Sequence, residues 1–317
     1  MLKSKTLIPA VLFSFFLLFT ADVFAFTIYV PDNYEKIQWA IDNASEDDRV
    51  IVRSGIYQEN IVIDKRITLK GWDTGKGKPV VDAGGNGSAI VILSDNVTLM
   101  GFIANNSGHL EDAGIKILSS NNLIKDNIAT ENQYGILLNN SFNNTIIENT
   151  ISYNVRGMAI KNSTGNRIYL NNFINNHNIF TDSVNFWNTT EPREYIYKNY
   201  RFMNFLGNYW VDYEGEDLDG NGIGDTPYII GLFNKDIVPL MDNSEKYPLP
   251  PPVRTPGPVK PVSVTPSPTL SKTETTPREI GTALSTTTPI KTPKTPGFEM
   301  ILAATCLTAA YLFRRAG

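Results

Sequence analysis

The chain of 317 residues contains one cysteine, Cys306, and this residue lies in an apolar segment near the C terminus. The rest of the chain therefore cannot form disulfide bonds, which excludes the disulfide scaffolds found in many small exported proteins. Histidine is almost as scarce, with His109 and His177 as the two examples. Any metal site built on histidine must use these two residues.

The sequence also lacks an excess of positive charge. The formal net charge is −4, and residues 26–248 carry ten more acidic than basic side chains because the flanking segments are basic. An acidic body repels phosphate backbones and other anionic polymers. We therefore expect no nucleic-acid partner, and the composition favours solubility and cation binding.

Long apolar runs are missing as well. The two longest cover residues 7–19 and 300–313, and both are shorter than the roughly 17–25 residues of a lasting transmembrane helix. The first run follows two lysines and precedes Val-Phe-Ala, which is the pattern of a secretory signal peptide over residues 1–25. We therefore expect an exported protein that begins near Phe26.

What the sequence does contain is a repeat. Residues 121–186 divide into three units of 22 residues, in which the same positions carry the same kinds of side chain. Asparagine recurs at positions 2, 7 and 12, and apolar residues recur at positions 4, 9 and 16. The asparagines are Asn122, Asn144, Asn166, Asn127, Asn149, Asn171, Asn132, Asn154 and Asn176. The apolar residues are Ile124, Ile146, Ile168, Ala129, Ile151, Phe173, Ile136, Met158 and Phe180.

A fixed period of this length indicates one structural unit stacked on copies of itself. The apolar runs are three or four residues long and rich in Ile, which is typical of short strands. Asparagine suits the corners between strands because it tolerates the left-handed conformation, and stacked amides can form ladders. The pattern predicts an all-β fold, a parallel β-helix with about 22 residues per coil. A leucine-rich repeat has an overlapping period, but its L-x-x-L-x-L pattern is absent.

Residues 26–186 are expected to form this β-helix together with an N-terminal cap. Asp32 and Glu35 have the spacing of a capping box. Four apolar residues then fall on one helical face, which predicts a helix that covers the apolar end of the stack. They are Ile37, Ala40, Ile41 and Ala44.

Strand-like triplets with irregular spacing follow between Val50 and Leu99. We expect about eight coils over residues 45–186. The coil that begins at Asn96 is three residues longer than 22, and the excess is expected as a loop near residues 107–112.

Several segments resemble the NosD-type β-helix proteins. In the first half these are YEKIQWAIDNA at 34–44, DRVIV at 48–52, GIYQEN at 55–60 and ITLKG at 67–71. GNYW at 207–210 and DLDGNGIGDTPY at 217–228 resemble the segment that follows the coils in archaeal members. The resemblance covers about residues 27–247. It implies an exported, right-handed parallel β-helix of the kind often linked to carbohydrate binding, whereas NosD itself is tied to copper-site maturation of a reductase.

The C-terminal part of the chain has the composition of a tether. Residues 248–296 are rich in Pro, Thr and Ser and bury too little apolar surface to fold, so we expect a disordered stalk that can be O-glycosylated. Residues 297–317 combine an apolar run with a closing Arg pair, and the motif Pro296, Gly297 and Phe298 stands in front of them.

This arrangement resembles the PGF-CTERM sorting signal that archaeosortase A processes. The resemblance implies an archaeal cell-surface protein whose apolar tail is exchanged for a lipid. The alternative is an ordinary C-terminal anchor with the Arg pair on the cytoplasmic side. In both cases the protein is expected to be extracellular and held to the membrane at its C terminus.

Residues 187–247 break the repeat and are rich in aromatic side chains. These rings are expected to cover the far end of the stack as a C-terminal cap. Some of them are alternatively a platform for glycans, because flat aromatic faces stack on the apolar faces of sugar rings. The candidates for this role are Trp187, Tyr209, Trp210 and Tyr213.

The same module contains a pattern that resembles most of a calcium loop. Oxygen-bearing side chains stand at positions 1, 3, 5 and 9, a glycine at position 6, and an apolar residue at position 7 whose carbonyl is a further ligand. The metal-ligand candidates are Asp217, Asp219, Asn221, Ile223 and Asp225. Tyr228 stands where a bidentate Glu belongs, so Ca²⁺ binding is expected to be weak unless Asp212, Glu214 or Glu216 completes the shell. A solvated Asp/Gly turn is the alternative.

Eight sequons mark candidate N-glycosylation sites, although many arise by chance in a sequence rich in Asn, Ser and Thr. They begin at Asn43, Asn86, Asn96, Asn105, Asn139, Asn143, Asn162 and Asn188.

Three functions compete. The first is a polysaccharide-processing enzyme, because β-helices often carry paired carboxylates on one face. GIYQE at 55–59 matches the G-x-Y-x-E signature of pectin esterases, but their other catalytic segments are missing. The outward positions of the regular coils are mainly Asn, Ser and Thr, which do poor acid–base work. The carboxylates that could supply a pair are Asp82, Asp95, Asp112 and Asp126.

The second function is NosD-like copper handling. By coil register the two histidines lie about three coils apart, or about 14 Å, so they cannot share one ion. The methionines outside the signal and tail are Met100, Met158, Met203 and Met241. The third function, which we expect, is a non-catalytic surface protein that binds envelope glycans or S-layer components, or builds the cell envelope.

Overall fold

The computed structural model describes residues 25–248, so the predicted signal peptide, stalk and sorting signal lie outside the described residues except for one residue at each boundary. In this range the chain forms twenty-four short strands, and no helix of the range is long and apolar enough to cross a bilayer. The strands are β1 (Thr27–Val30), β2 (Arg49–Arg53), β3 (Ile56–Gln58), β4 (Ile61–Ile63), β5 (Thr68–Trp72), β6 (Val80–Asp82), β7 (Ile90–Ile92), β8 (Thr98–Met100), β9 (Ile103–Asn105), β10 (Ala113–Ile117), β11 (Leu123–Lys125), β12 (Ile128–Thr130), β13 (Tyr134–Asn139), β14 (Thr145–Ile147), β15 (Thr150–Ser152), β16 (Arg156–Lys161), β17 (Arg167–Tyr169), β18 (Asn172–Ile174), β19 (Ile179–Thr181), β20 (Arg193–Tyr197), β21 (Tyr200–Asn204), β22 (Tyr209–Trp210), β23 (Tyr228–Gly231) and β24 (Asn234–Asp236). The helices are α1 (Ile37–Asn43) and a 3₁₀ helix, Ser244–Lys246.

Twenty of these strands form three parallel sheets around one core. Sheet A has the order β1-β2-β5-β8-β11-β14-β17, sheet B the order β3-β6-β9-β12-β15-β18-β22, and sheet C the order β4-β7-β10-β13-β16-β19. The chain passes from sheet A to B to C and returns to A one layer further, so each coil gives one strand to each sheet. The predicted parallel β-helix is confirmed.

The register shows where the 22-residue period holds. Ile124, Ile146 and Ile168 pair side by side in sheet A, as predicted, and all three are buried. Before them the coils vary, because Val50 pairs with Leu69 and Leu69 with the residue 30 positions later, Leu99. The stack has about seven turns. The prediction of eight coils is wrong because the early strand-like triplets are separated by long loops.

Asparagine ladders join consecutive coils at the corners. The side-chain oxygen of Asn149 accepts hydrogen bonds from the backbone N–H and the side-chain amide of Asn127, at 3.0 and 3.1 Å. Asn171 does the same for Asn149, at 3.0 Å in both bonds. The Asn149 amide also donates to the carbonyl of Ile147 at 3.0 Å. Each buried amide therefore satisfies backbone groups that the turn leaves open.

The left-handed backbone at these corners belongs to other residues. In the position-7 ladder it is adopted by the residue before each asparagine, namely Asp126, Glu148 and Leu170, with φ of 55°, 57° and 56°. The left-handed role expected for asparagine holds at position 1, where Asn121 and Asn143 have φ of 61° and 56°. The ladder asparagines are therefore selected for their amides and not for their backbone.

A row of glycines accompanies the position-12 ladder. A Cβ at Gly114, Gly135 or Gly157 would come within 2.6 Å of the amide nitrogen of a ladder asparagine. Glycine is therefore required beside each rung, because any side chain would displace the amide.

The third repeat departs from the period at one corner. Asn154 donates its backbone N–H to the side chain of Asn175 at 3.0 Å, whereas the predicted partner, Asn176, is exposed. Tyr153, the left-handed residue before Asn154 (φ 54°), has no counterpart in the next coil. The prediction for Asn176 is wrong because this corner is one residue shorter.

The shorter corner shifts the strand that follows. Met158 pairs with Ile179, and Phe180 pairs with Ala159. Ile179 therefore continues the core stack, and the prediction that Phe180 lies in the core is wrong. Because side chains alternate between the two faces of a strand, a one-residue shift turns Phe180 to the outside.

The helix α1 covers the first end of the stack, as predicted, with Ile37, Ala40 and Ile41 buried. The predicted capping box of Asp32 and Glu35 is wrong. No side chain of the N-cap residue bonds to the helix, and Glu59 instead accepts hydrogen bonds from the backbone N–H groups of Ile37 at 3.0 Å and Gln38 at 3.1 Å. The cap therefore comes from the next coil.

The C-terminal module closes the other end. Strand β22 extends sheet B, and the two antiparallel hairpins β20–β21 and β23–β24 pack around it. The three ladders end on oxygen acceptors of this module: position 7 passes from Asn208 to Asp236, position 2 from Asn185 to Asn234, and position 12 from Asn178 to Asp212. Residues on both sides of the predicted boundary at 186 thus complete the last coil.

Candidate functional site

The outer face of sheet C carries a group of aromatic and charged side chains. Tyr134 projects outward from β13, yet it is buried among Ala113, Leu137 and Ala159. Arg156 donates a hydrogen bond from Nη1 to the Tyr134 hydroxyl at 2.9 Å, and its guanidinium lies 5.7 Å from the ring centroid. This cation–π arrangement holds the guanidinium against the sheet.

The predicted extra loop lies over the same face. Glu111, in the segment between β9 and β10, accepts a hydrogen bond from Lys161 at 2.6 Å, and this ammonium lies 5.6 Å from the Tyr134 centroid. The Lys161 contact lowers the pKa of Glu111. The ion pair holds the loop against a strand two coils further along the stack, and the loop covers this part of the outer face of sheet C.

Next to this closed part is an open cavity of about 370 Å³. It is lined by Arg156, Met158, His177, Ile179 and Phe180. Phe180 is 53% exposed, so part of its side chain is available to a ligand. A flat apolar ring flanked by guanidinium and imidazole nitrogens can stack on a sugar ring and bond its hydroxyls.

Two of the four aromatic residues predicted as a glycan platform are in the wrong place for it. Trp187 and Trp210 are 2% and 1% exposed. Trp210 is stacked between Phe173 and Tyr228, with both centroid distances 4.3 Å. These rings cover the apolar end of the stack, which is the other role considered for them.

The other two candidates are only partly buried. Tyr209 extends sheet B beside Asn172. Tyr213 donates its hydroxyl to the carbonyl of Thr226 at 2.6 Å and packs against the core. A role for Tyr209 and Tyr213 in glycan binding stays a prediction.

Three of the four carboxylates considered for catalysis have structural partners. Asp82 accepts hydrogen bonds from the Gly84 backbone at 2.8 Å and from an asparagine amide at 2.9 Å, and Asp95 accepts one from the Ser120 backbone at 2.6 Å. Asp126 pairs with a lysine at 2.6 Å. The Glu of the G-x-Y-x-E pattern is Glu59, the cap of α1, so that element serves the fold.

Asp126 nevertheless shares a cavity with other carboxylates. Glu148 and Glu245 border the same cavity of about 270 Å³, between the coils and the C-terminal module. Glu148 is paired with Lys125 at 3.1 Å. This carboxylate group is one that the sequence pattern missed, because Glu245 is far away in the chain.

The predicted calcium loop closes on itself. Asp217 and Asp219 both accept hydrogen bonds from the Asn221 backbone N–H, at 3.0 and 3.1 Å, and Asp225 accepts one from the backbone of the same loop at 2.8 Å. Ile223 is buried and packs in the C-terminal module. Among residues 25–248, no three His, Cys, Asp or Glu side chains are grouped to hold a metal ion. Ca²⁺ binding stays a prediction, and the carboxylate oxygens that would ligate the ion already accept hydrogen bonds from backbone amides of the loop.

Of the side chains considered for completing the calcium shell, Asp212 is engaged elsewhere. Its carboxylate accepts hydrogen bonds from Asn178 at 2.7 Å and from the Tyr228 hydroxyl at 3.0 Å. Burial raises the pKa of Tyr228, and the nearby Asp212 raises it further. The Asp212 carboxylate therefore serves the end of a ladder.

The two histidines follow the predicted spacing. His109 precedes β10 and His177 precedes β19, and two strands of sheet C separate these strands. Met158, one of the methionines considered for copper, is buried in the core. These positions give the two histidines no common site.

The sequence pattern missed the exposed aromatic residues of the coils. The repeat predicts Phe180 in the core, and it gives no signal for Trp39 on α1 or Trp72 on β5, although both are about half exposed. Arg53 lies 5.1 Å from the Trp72 ring centroid. Two adjacent asparagines, Asn175 and Asn176, stand at positions 11 and 12 of the third repeat. If Asn175 is taken as the ladder residue, the alternation of the following strand predicts that Phe180 faces outward.

Comparisons with known proteins give matches to two family models. A family model described as "Periplasmic copper-binding protein (NosD)" matches residues 78–215, and one described as "PGF-CTERM motif" matches residues 295–316. Among solved structures, the chain is similar to ORF18 of Geobacillus virus E2, with 15% identity, coverage of 50% of this chain and 40% of that chain, and a TM-score of 0.35. The chain thus spans less than half of that protein's length. A comparison with curated proteins finds no match.

The stacked coils, the amide ladders and the capped ends define a parallel β-helix protein. Together with the two matches, these features fit a NosD-like β-helix protein with a PGF-CTERM signal. That motif marks a C-terminally anchored, extracellular cell-surface protein of archaea that archaeosortase processes.

Proposed function

We propose that this protein is a non-catalytic surface module that binds a glycan of the cell envelope at the sheet C cavity. The observation that carries the proposal is the half-exposed Phe180 ring beside Arg156 and His177 around one cavity of about 370 Å³. The β-helix behind the cavity is rigid, because backbone hydrogen bonds connect its coils and buried amides join the coils from residue 97 onward. A preformed site on a rigid body loses little conformational entropy on binding.

The chemistry of the cavity suggests the class of ligand. Phe180 offers an apolar face to one side of a pyranose ring, and Arg156 and His177 offer donors to its hydroxyl groups. The acidic body disfavours a polyanion. A neutral glycan, such as those that decorate envelope proteins, is therefore the expected ligand.

The test is binding of the anchored chain to a glycan array, followed by calorimetry on the hits. Phe180→Ala should weaken binding about ten-fold, since stacking and the buried ring area together contribute more than 1 kcal/mol. The matched control is Tyr200→Ala, which removes an exposed ring on the hairpin β20–β21 and should leave affinity unchanged. Equal affinity in both variants, or no hit on the array, contradicts the proposal.

The enzyme alternative has one supporting observation, the carboxylates around Asp126. Each array hit should be incubated with the protein and analysed for cleavage products. Turnover that is lost in Asp126→Asn or Glu148→Gln favours an enzyme with paired carboxylates. Binding without turnover favours the module. The copper binding in the description of the NosD family remains a second alternative, although among residues 25–248 no three His, Cys, Asp or Glu side chains are grouped as metal ligands.

The protein is expected to be decorated with glycans as well as to bind them. Five of the eight sequon asparagines are exposed: Asn43, Asn86, Asn96, Asn143 and Asn162. The other three, Asn105, Asn139 and Asn188, are partly buried. N-glycosylation is therefore expected at the first group, and glycopeptide mass spectrometry identifies the occupied sites.

A further inference from the structure

The hairpin β23–β24 presents an apolar tip to solvent. Ile229, Leu232 and Phe233 are 68%, 89% and 76% exposed. They border an open hollow of about 530 Å³. Single exposed apolar residues are ordinary, but three large ones on one hairpin mark a contact surface.

The base of this hairpin is fixed in the C-terminal cap. Tyr228 stacks on Trp210 at 4.3 Å, and Asn234 accepts a hydrogen bond from the Trp187 indole N–H at 3.1 Å. Asp236, at the end of β24, is fully buried. The tip is therefore a projection of a rigid end, and it cannot turn inward to bury its side chains.

We propose that this tip inserts into the surface of the lipid bilayer to which the chain is anchored. The described fold ends at Pro248, and the PGF-CTERM motif begins at Thr295, so 46 residues connect the cap to the membrane attachment. A tether of this length keeps the tip at a high effective concentration near lipid. The bilayer is thus the apolar surface most available to it.

The composition of the tip fits an interface between water and hydrocarbon. Lys235 carries the one charge between Ile229 and Lys235, and a lysine beside Leu and Phe suits the level of lipid phosphates. A second copy of the chain is a poor occupant. Three side chains bury a few hundred Å² at most, below the roughly 800 Å² per partner of a stable dimer.

The experiment places an environment-sensitive fluorophore on the tip. The full chain carries Phe233→Cys, is processed to its anchored form and is reconstituted in vesicles. Cys306→Ser is added so that position 233 is the one labelled cysteine in any unprocessed chain as well. We expect a blue-shifted emission, and about two-fold quenching by lipids with brominated acyl chains, as for side chains buried at the acyl boundary. A second variant, with Ile229→Ser and Leu232→Ser added, should lose most of this quenching.

The matched control is a label at Tyr200→Cys. Tyr200 is 70% exposed at the turn of β20–β21, a hairpin whose Ile196 bonds to the carbonyl of Pro248, where the described fold ends. Tethering alone should change the emission and the lipid quenching of both labels equally, whereas insertion should change them only for the label at position 233. Water-like emission at both positions overturns the proposal. Self-quenching that grows with protein density, without quenching by lipids, also overturns it, because this result indicates that a second copy of the chain covers the tip. The outcome is independent of glycan binding at sheet C.

Discussion

At the scale of single residues, the ladder asparagine combines a donor and an acceptor on a short side chain. Its oxygen takes two hydrogen bonds from the preceding coil, and its nitrogen gives bonds to the next coil and to the local backbone. Aspartate lacks the donor, and serine is too short to bond on both sides. This explains why asparagine repeats at three corners, and also why the pattern was visible in the sequence.

The first prediction removes one rung. Asn149→Ala leaves the N–H groups of Asn127 without acceptors in a buried corner, and each such loss costs about 1–3 kcal/mol. We expect the free energy of unfolding to fall by about 3 kcal/mol, measured by urea denaturation. Asn176→Ala is the control, and it should change stability by no more than about 0.5 kcal/mol because Asn176 is exposed. A large loss in Asn176→Ala would contradict the shifted register.

The end of the position-7 ladder requires an acceptor, because every rung donates toward the C terminus. Asp236 fills this role and accepts hydrogen bonds from the backbone of Asn208 at 2.7 Å and the Trp210 indole at 3.0 Å. Burial raises the pKa of Asp236 to about 6, and the donors act in the opposite direction. The group is therefore charged above pH 6 at a cost to the folded state.

The second prediction follows from this pKa. Below about pH 4 Asp236 is protonated in both states; as pH rises toward 6 the unfolded chain releases the proton and the folded chain keeps it. The contribution of Asp236 to stability is thus lost between about pH 4 and 6, by on the order of 3 kcal/mol. Asp236→Asn should lack this loss. Melting curves of both proteins from pH 4 to 7 test it, and parallel pH profiles would show that the carboxylate titrates as an ordinary one.

At the scale of elements, the strands of the regular coils could be predicted because their signal is local. Ile124, Ile146 and Ile168 sit at equal spacing, and alternation fixes which side chains face the core. The corner after Phe173 is one residue shorter than in the other coils. The 22-residue period does not reveal this, because the composition on both sides of the corner is unchanged. That single shift moved Phe180 to the surface. The candidate site was missed for this reason.

The capping of α1 was misread for a related reason. A capping box is a local pattern, whereas the real cap, Glu59, lies on the next coil and is recognised only once the coils are stacked. The third prediction is that Glu59→Ala lowers stability by about 1–2 kcal/mol, because two N–H groups of α1 lose their acceptors. Glu35→Ala should be neutral within about 0.5 kcal/mol. Thermal melting of both variants compares the two caps. An equal loss of melting temperature in both variants would support the capping box of Asp32 and Glu35.

The fourth prediction concerns the loop of Asp217 and Asp219. These carboxylates hold the turn through backbone amides, so Asp217→Ala with Asp219→Ala should lower the melting temperature in chelator. If the loop also binds Ca²⁺, millimolar calcium should raise the melting temperature of the wild type by mass action and leave the double variant unchanged. Identical wild-type curves in calcium and in chelator would identify the loop as a plain turn.

At the scale of the whole molecule, the ends of the β-helix have different tasks. The helix α1 covers the first coil, while the C-terminal module terminates the ladders on acceptors and leads to the anchor. The side faces between them are free for ligands, and the sheet C cavity lies on one of these faces. The proposed site combines core residues such as Met158 with the exposed Phe180, and we expect Phe180 to be replaceable without loss of the fold.

The fifth prediction concerns the mature form. The Val-Phe-Ala site predicts a first residue at Phe26, and the PGF-CTERM motif predicts removal of the tail that contains Arg314 and Arg315 in exchange for a lipid. The intact mass of protein extracted from native membranes should therefore correspond to a chain that lacks both ends and carries an added lipid. Replacing Pro296, Gly297 and Phe298 by alanine should block the exchange and leave the arginines in place. A wild-type species that still contains the Arg pair would instead support the ordinary anchor, in which the Arg pair lies on the cytoplasmic side of the apolar run.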